Sequence, residues 1–151
     1  MPDHKHWMGI ALQQARIAGQ AGNRAVGAVI VYNDQVVALG GNRRESDIDP
    51  LGHAETTAML DRVATSGNLD FSGCTLYTTL EPCPMCCGAI AVNGIEIVVV
   101  GAMHTAANRR WGGYTVRKVT EMIGQGTQIV DGVLADECNA VLAEWDAKQG
   151  R

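Results

Sequence analysis

No apolar run in the 151 residues approaches 18, so nothing in the sequence reads as a membrane-spanning helix. The opening stretch MPDHKHWMGIALQQ has neither a long apolar core nor a small-residue cleavage site; no secretory signal is expected, and the chain reads as cytoplasmic. An excess of basic charge is also missing. The formal net charge of −4 removes any general attraction to nucleic acid or to a membrane surface, while leaving room for a local basic patch. There are no repeats, low-complexity tracts or linker-like stretches, and the length suits one domain over 1–151 with a single buried core. Cysteines number only five, an odd count that fits a disulfide framework poorly. In a reducing compartment, close cysteine pairs mean metal or catalysis more often than disulfides.

What is present alternates. Met8, Ala11, Leu12 and Ala15 recur at helical spacing between Trp7 and about Gln20. AVGAVIVY (25–32), a turn at NDQ and VVALG (36–40) predict a β-hairpin. A Gly-, Asp- and Pro-rich loop (40–52) leads to a helix from about His53 to Ser66, then to a strand at 74–80. An apolar helix over 84–94 opens on Pro84, where a missing N–H costs nothing. A buried strand (95–101), a helix (113–123), a last strand (127–132) and a closing helix marked by Leu134, Cys138, Val141, Leu142 and Trp145 complete the pattern. The order α-β-β-α-β-α-β-α-β-α predicts an α/β protein: three α/β/α layers around a mixed, largely parallel five-stranded sheet. Sites in such sheets lie beyond the carboxyl ends of strands. Two places qualify, the helix start at His53 and the strand-to-helix turn TLEPCPMC (79–86).

Three of the five cysteines crowd into that turn and the residue that follows it (83, 86 and 87). Cys83 and Cys86, three apart at a helix start, can bring both sulfurs to one point off its first turn. Unpaired N–H groups and the helix dipole there favour thiolates. Alone, a C-x-x-C pair also fits a redox couple or two buried thiols, and a lone His before a helix fits a cap. Together, His53, Cys83 and Cys86 supply three ligands suited to Zn²⁺, and an open fourth position marks a catalytic rather than a structural site. Zinc lowers the pKa of a bound water from about 15.7 to roughly 7, giving hydroxide at neutral pH. Glu55, two residues from His53, is placed to take a proton from that water and hand it to a leaving nitrogen, a role that a carboxyl of raised pKa suits. Among the other cysteines, Cys87 is only about 40° round the helix from Cys83 but a full turn deeper, and is expected in the core with Cys74 and Cys138.

The arrangement H-x-E…P-C-x-x-C is the signature of zinc deaminases. HAE and TLEPCPMCCGAI, preceded by VGAVIV and GGN, resemble the cytidine-deaminase-like superfamily. The similarity is greatest to its branch of fungal-type cytosine deaminases, guanine deaminases and tRNA adenosine deaminases, and it covers about residues 8 to 145. The resemblance implies one zinc on His53, Cys83 and Cys86, with Glu55 as proton shuttle. It implies that Asn42 hydrogen-bonds the substrate ring, that Val26 and Leu80 line the pocket, and that the backbone near Ala54 and Glu81 touches the ring or the leaving ammonia. It also implies a homodimer whose second subunit helps to wall the pocket.

The substrate is read less directly. The overall acidity disfavours tRNA without excluding it, and NRR (108–110) with Arg117 and Lys118 is the one basic cluster after the sheet core. HTAANRRWGG stands where tRNA adenosine deaminases carry a KTGA-like stretch, although GVLADEC resembles their C-terminal helix. Trp111 falls about where cytosine deaminases place an aromatic over the base. Only six residues follow Trp145, so the acidic anchor of the fungal tail has no counterpart unless Glu144 or Asp146 replaces it. The expectation is a hydrolytic deaminase of a small amino-substituted heterocycle, with free cytosine first, guanine or another amino-ring compound next and tRNA adenosine third; the alternative of a different class is a non-catalytic zinc-stabilised binding module, in which a carboxylate at Glu55 would have no use.

Overall fold

The structure is a computed structural model and describes residues 2–150. Its elements are α1 (His4–Gln20), β1 (Gly27–Tyr32), β2 (Gln35–Gly41), α2 (Ala54–Ser66), β3 (Thr75–Leu80), α3 (Pro84–Val92), β4 (Ile97–Ala102), α4 (Val116–Ile123), β5 (Gln128–Val130) and α5 (Ala135–Lys148). The predicted order holds, with boundaries shifted by a few residues. The first helix starts earlier than its apolar stripe because Asp3 caps it, its side chain accepting from the His6 N–H at 3.1 Å. Asn33 and Asp34 both take positive φ (51° and 56°), the conformation that a two-residue hairpin turn requires.

The five strands lie in the order β2-β1-β3-β4-β5. β1 runs antiparallel to both β2 and β3, whereas β3–β4 and β4–β5 are parallel. The sheet is therefore mixed, but less parallel than expected: β3 returns beside β1 rather than beside β2. Helices α1 and α5 pack on one face and α2, α3 and α4 on the other, giving the three layers. The central strands are covered on both sides: GAVIVY and IVVVGA read as nearly unbroken apolar runs, and TLYTTL is buried along almost its whole length although half of it is threonine.

Two glycines set how closely the helices approach. A Cβ on Gly27 would lie 2.1 Å from the Ala11 carbonyl oxygen of α1, and one on Gly40 would lie 2.4 Å from both the Ala54 carbonyl oxygen and the Ala58 amide nitrogen of α2. Gly40 thus lets the first turn of α2 rest against β2. No helix among the described residues is long and apolar enough to cross a membrane.

Candidate metal centre and active site

Beyond the carboxyl end of β3, two helix N-termini face each other. His53 is the N-cap residue of α2 and Cys83 that of α3, and neither side chain caps its own helix. The His53 Nδ1 lies 3.4 Å from the Cys83 Sγ and 3.6 Å from the Cys86 Sγ. The three ligand atoms lie within 4.8 Å of one another, the one such group of His, Cys, Asp or Glu among the described residues. Two sulfurs and one imidazole nitrogen at that spacing fit a single zinc ion, and three protein donors leave a coordination position open.

The electrostatics suit a cation. A hydrogen bond from Cys86 pulls the Cys83 thiol well below its usual range against the opposing effect of burial, with His53 adding to the pull. The same bond, with burial, pushes Cys86 up. The bond from Cys83 raises His53 more than burial lowers it.

Glu55 sits in the first turn of α2 and is buried, 3% exposed. The Thr78 hydroxyl lies 2.8 Å from its Oε1 and is the donor. Burial raises its pKa, the Cys83 charge raises it further, and the bonds from its own backbone and Thr78 and the charge of His53 only partly offset the shift. This carboxyl is not part of the ligand cluster.

Glu55, His53 and Cys83 open onto a cavity of about 340 Å³. Every residue expected at the substrate lines it: Val26, Asn42, Ala54, Leu80, Glu81 and Trp111. Val26 and Leu80 meet because Ala28 pairs with Thr78 across the antiparallel β1–β3 contact. Asn42 is a turn residue as well as a pocket residue, since its Oδ1 accepts from the Arg44 N–H at 2.9 Å. Trp111 is 44% exposed and stands edge-on to Tyr114 with ring centres 6.0 Å apart, so it belongs to the mouth rather than to the floor.

Glu81 differs from the expectation in the part of it that matters. Its carboxylate, not only its backbone, is committed: it accepts from the His104 N–H (2.9 Å), the Val116 N–H (2.8 Å) and the Arg109 guanidinium (3.4 Å). Burial pushes this carboxyl up, but the His104 side chain at 3.4 Å, then the Val116 and His104 N–H groups and the Arg109 charge, hold it down at about 2. Arg109 also donates to the His104 carbonyl at 2.8 Å and lies over the Tyr114 ring. The loop between β4 and α4 is thereby clamped against the residues that precede Cys83.

The remaining cysteines are buried. Cys87 packs as expected but also donates to the Pro82 carbonyl at 3.4 Å, an acceptor it shares with the Tyr114 hydroxyl at 3.0 Å. Burial drives its thiol up to about 12. The basic cluster divides: Arg109 turns to Glu81, Arg110 lines the cavity, Arg117 pairs with Asp131 at 2.8 Å and Lys118 reaches the Gly113 carbonyl at 3.2 Å. Neither Glu144 nor Asp146 lines the cavity, so the proposed replacement anchor is corrected. Glu144 is an exposed partner of Lys148 at 3.6 Å, and it is Trp145 between them that reaches the cavity. Arg24, Arg44, Glu45 and His104 also line it without having been singled out.

The family described as the cytidine and deoxycytidylate deaminase zinc-binding region matches residues 1–102. A tRNA-specific adenosine deaminase of Bacillus subtilis (strain 168) is 33% identical over 145 residues, covering 96% of this chain and 89% of the relative. A solved structure from work on A-to-I editing by tRNA:A34 deaminases at the wobble position of transfer RNA superimposes with a TM-score of 0.81. It is 30% identical and covers 91% of this chain and 99% of the other. The guanine deaminase of Nitrosomonas europaea gives a TM-score of 0.79 at 25% identity, over 95% of this chain and 84% of its own. These similarities do not support free cytosine as the main substrate: tRNA adenosine and guanine both stand ahead of it.

Proposed function

The chain belongs to the family of the cytidine and deoxycytidylate deaminase zinc-binding region, and on that premise we propose that it hydrolyses the exocyclic amino group from a purine ring, releasing ammonia. It is a zinc-type hydrolytic deaminase. The observation that carries the chemistry is the buried carboxyl of Glu55, raised above its ordinary range by that burial, beside the His53–Cys83–Cys86 triad at one end of a cavity of about 340 Å³. That volume lies at the small end of ligand pockets, the scale of one base with a substituent rather than an extended ligand. The choice of a purine is supported by the names of the relatives, whose rings, adenosine in tRNA and guanine, are both purines.

His53, Cys83 and Cys86 would hold the zinc, which when bound supplies a Lewis acid that makes water nucleophilic at neutral pH. Glu55 takes a proton from the attacking water and returns it to the departing nitrogen, so that water and the amino-bearing ring become the oxo-ring and ammonia. A carboxyl raised by burial suits a group that must both accept and donate near neutrality. Thr78 fixes the carboxyl through Oε1. With the Asn42 Oδ1 used in the loop, its amide N–H₂ is the donor left for a ring acceptor. Trp111 at the mouth offers a face for stacking and shields the ring from water.

Zinc-loaded protein incubated with adenine, guanine, cytosine, their nucleosides and an anticodon stem–loop RNA tests this directly through ammonia release. Release from purine-bearing compounds is expected. Release from cytosine or cytidine alone overturns the purine assignment.

A further inference from the structure

His104 lines the cavity just beyond the end of β4, and its side chain is only 7% exposed. No step of the reaction assigned above uses it. Its Nδ1 lies 3.2 Å from the Tyr114 hydroxyl and 3.4 Å from Oε1 of Glu81. That hydroxyl has one proton, which it donates to the Pro82 carbonyl at 3.0 Å. Towards His104 the hydroxyl can therefore only accept. Glu81 is held as a carboxylate by the donors that already converge on it, the His104 and Val116 N–H groups and Arg109, so it too can only accept. A lone pair on Nδ1 would be repelled by both neighbours, so the ring proton sits on Nδ1.

A neutral imidazole carries one proton, so Nε2 is left as a bare acceptor. It has no hydrogen-bond partner among the described residues and is not sealed off, and the ring it belongs to borders the cavity. The sheet sets this acceptor opposite a donor. Asn42 follows β2 and His104 follows β4, and the pairing directions bring the carboxyl ends of both strands to one edge. In the order β2-β1-β3-β4 the two strands are three places apart, about 14 Å, so the two residues flank the cavity from opposite sides. A ring lying between them meets the Asn42 amide N–H₂ on one flank and the His104 Nε2 on the other.

We propose that His104 is a specificity-determining residue whose Nε2 accepts a hydrogen bond from a ring N–H of the substrate, so that the purine deaminated beside Glu55 is a lactam, with an oxo group and a protonated ring nitrogen next to the amino-bearing carbon. The inference rests on the purine-deaminase reading and narrows it. In such a ring the N–H lies on one side of the amino-bearing carbon and an unprotonated ring nitrogen on the other, which suits His104 and Asn42 in turn. A purine without the oxo group presents lone pairs on both sides. One of them would face Nε2, leaving a desolvated acceptor unpaired, and sites built to hydrogen-bond an N–H reject analogues that lack it.

Two pairs of purines isolate this hydrogen. Guanine and 2-aminopurine carry the amino group on C2, isoguanine and adenine on C6, and in each pair only the first has the oxo group and the N–H beside the amino-bearing carbon. Ammonia release by the zinc-loaded protein is measured for all four, as bases and as ribonucleosides. Within the pair that is turned over, kcat/KM should favour the lactam by about tenfold or more, the scale of one buried polar group left unpaired. In His104→Leu that ratio should fall by about the same factor, whereas a merely loosened loop would lower both members alike. A ratio near one in the wild-type protein, or a ratio unchanged in His104→Leu, overturns the inference. Proton–nitrogen correlation NMR of the zinc-loaded wild-type protein reads the tautomer without any variant. At about pH 8, on the alkaline side of an ordinary imidazole, Nδ1 should carry the proton and Nε2 should be bare; a protonated Nε2 overturns the inference. Binding of the same purines to zinc-loaded Glu55→Gln separates it from the reading beneath it. A lactam preference in affinity that disappears when His104→Leu is added sustains the role of His104 even if no purine is turned over, in which case the reaction assigned above fails alone.

Discussion

The two ends of the cavity are built differently. At the inner end, His53 and Cys83 each cap a helix, Cys86 and Glu55 follow within one turn, and Thr78 reaches across from the central sheet. Every group there is fixed by regular structure. At the mouth, Arg24, Arg44, Arg110 and Trp111 stand on loops and depend on polar residues beneath them (buried Asn23 and Glu81, half-buried Asn42 and Arg109) for their placement. In the proposed function the inner end, set by short-range geometry, carries the reaction, and the mouth, set by long-range contacts, selects what enters. Changes at the inner end should therefore abolish chemistry with the fold intact, and changes at the mouth should alter recognition by smaller factors.

The largest effect is expected from the ligands. Cys86→Ala should lose stoichiometric zinc by elemental analysis, and activity with it, while the neighbouring Cys87→Ala keeps its zinc. Equal metal loss in both would erase the distinction between ligand and core thiol. Next, Glu55→Gln should keep zinc and the fold but lower kcat by about 10²–10⁴-fold, the usual contribution of a positioned acid–base group; near-normal turnover would remove Glu55 from the mechanism.

At the boundary between the two ends, Glu81→Gln should cost about 1.5–3 kcal/mol in chemical denaturation, the range for hydrogen bonds to a charged group. It should raise KM more than it lowers kcat, because the mouth loop loosens while the triad stays. The Glu81 carboxyl is held down at about 2 in the folded protein, below its ordinary 4.5. The stability it adds is therefore complete above about pH 4.5 and is lost as pH falls towards 2. That acid slope should be shallower in the variant, and an unchanged slope would show that the carboxylate does not hold the loop. Gly40→Ala is expected to cost about 1–3 kcal/mol by overpacking, seen as a lowered Tm. Its methyl group would press on the first turn of α2, so activity should fall in step with stability. An unaltered Tm would mean that α2 is less tightly seated than the geometry indicates.

The same division explains what could be read in the sequence. His53, Glu55, Cys83 and Cys86 were legible because each pair lies within three residues at a helix start, where spacing alone fixes which side chains meet. The alternation of strands and helices gave the layers, but not the antiparallel placement of β3 beside β1, which no hairpin announces. Trp145 fell on the apolar stripe of the closing helix and is indeed buried, yet nothing in its periodicity indicates that it also reaches the cavity. Arg24 and His104 carry no local signal, since packing of segments far apart in the chain brings them to the mouth. Glu81 was visible as part of the turn motif, but the partners of its carboxylate lie 23 to 35 residues away. Placing cytosine first among substrates is corrected by the relatives, a tRNA adenosine deaminase and a guanine deaminase, which no composition or charge count could indicate.

The central claim is that three protein side chains, one nitrogen and two sulfur donors, hold the metal and leave a position open to water. X-ray absorption at the zinc edge of the reconstituted protein measures this directly. The expected spectrum contains two sulfur scatterers at about 2.3 Å and two light scatterers at about 2.0–2.1 Å, one of them exchangeable with solvent-derived ligands. Three or four sulfurs, or a shell closed entirely by protein side chains, would contradict the assignment of His53, Cys83 and Cys86 as the whole protein ligand set.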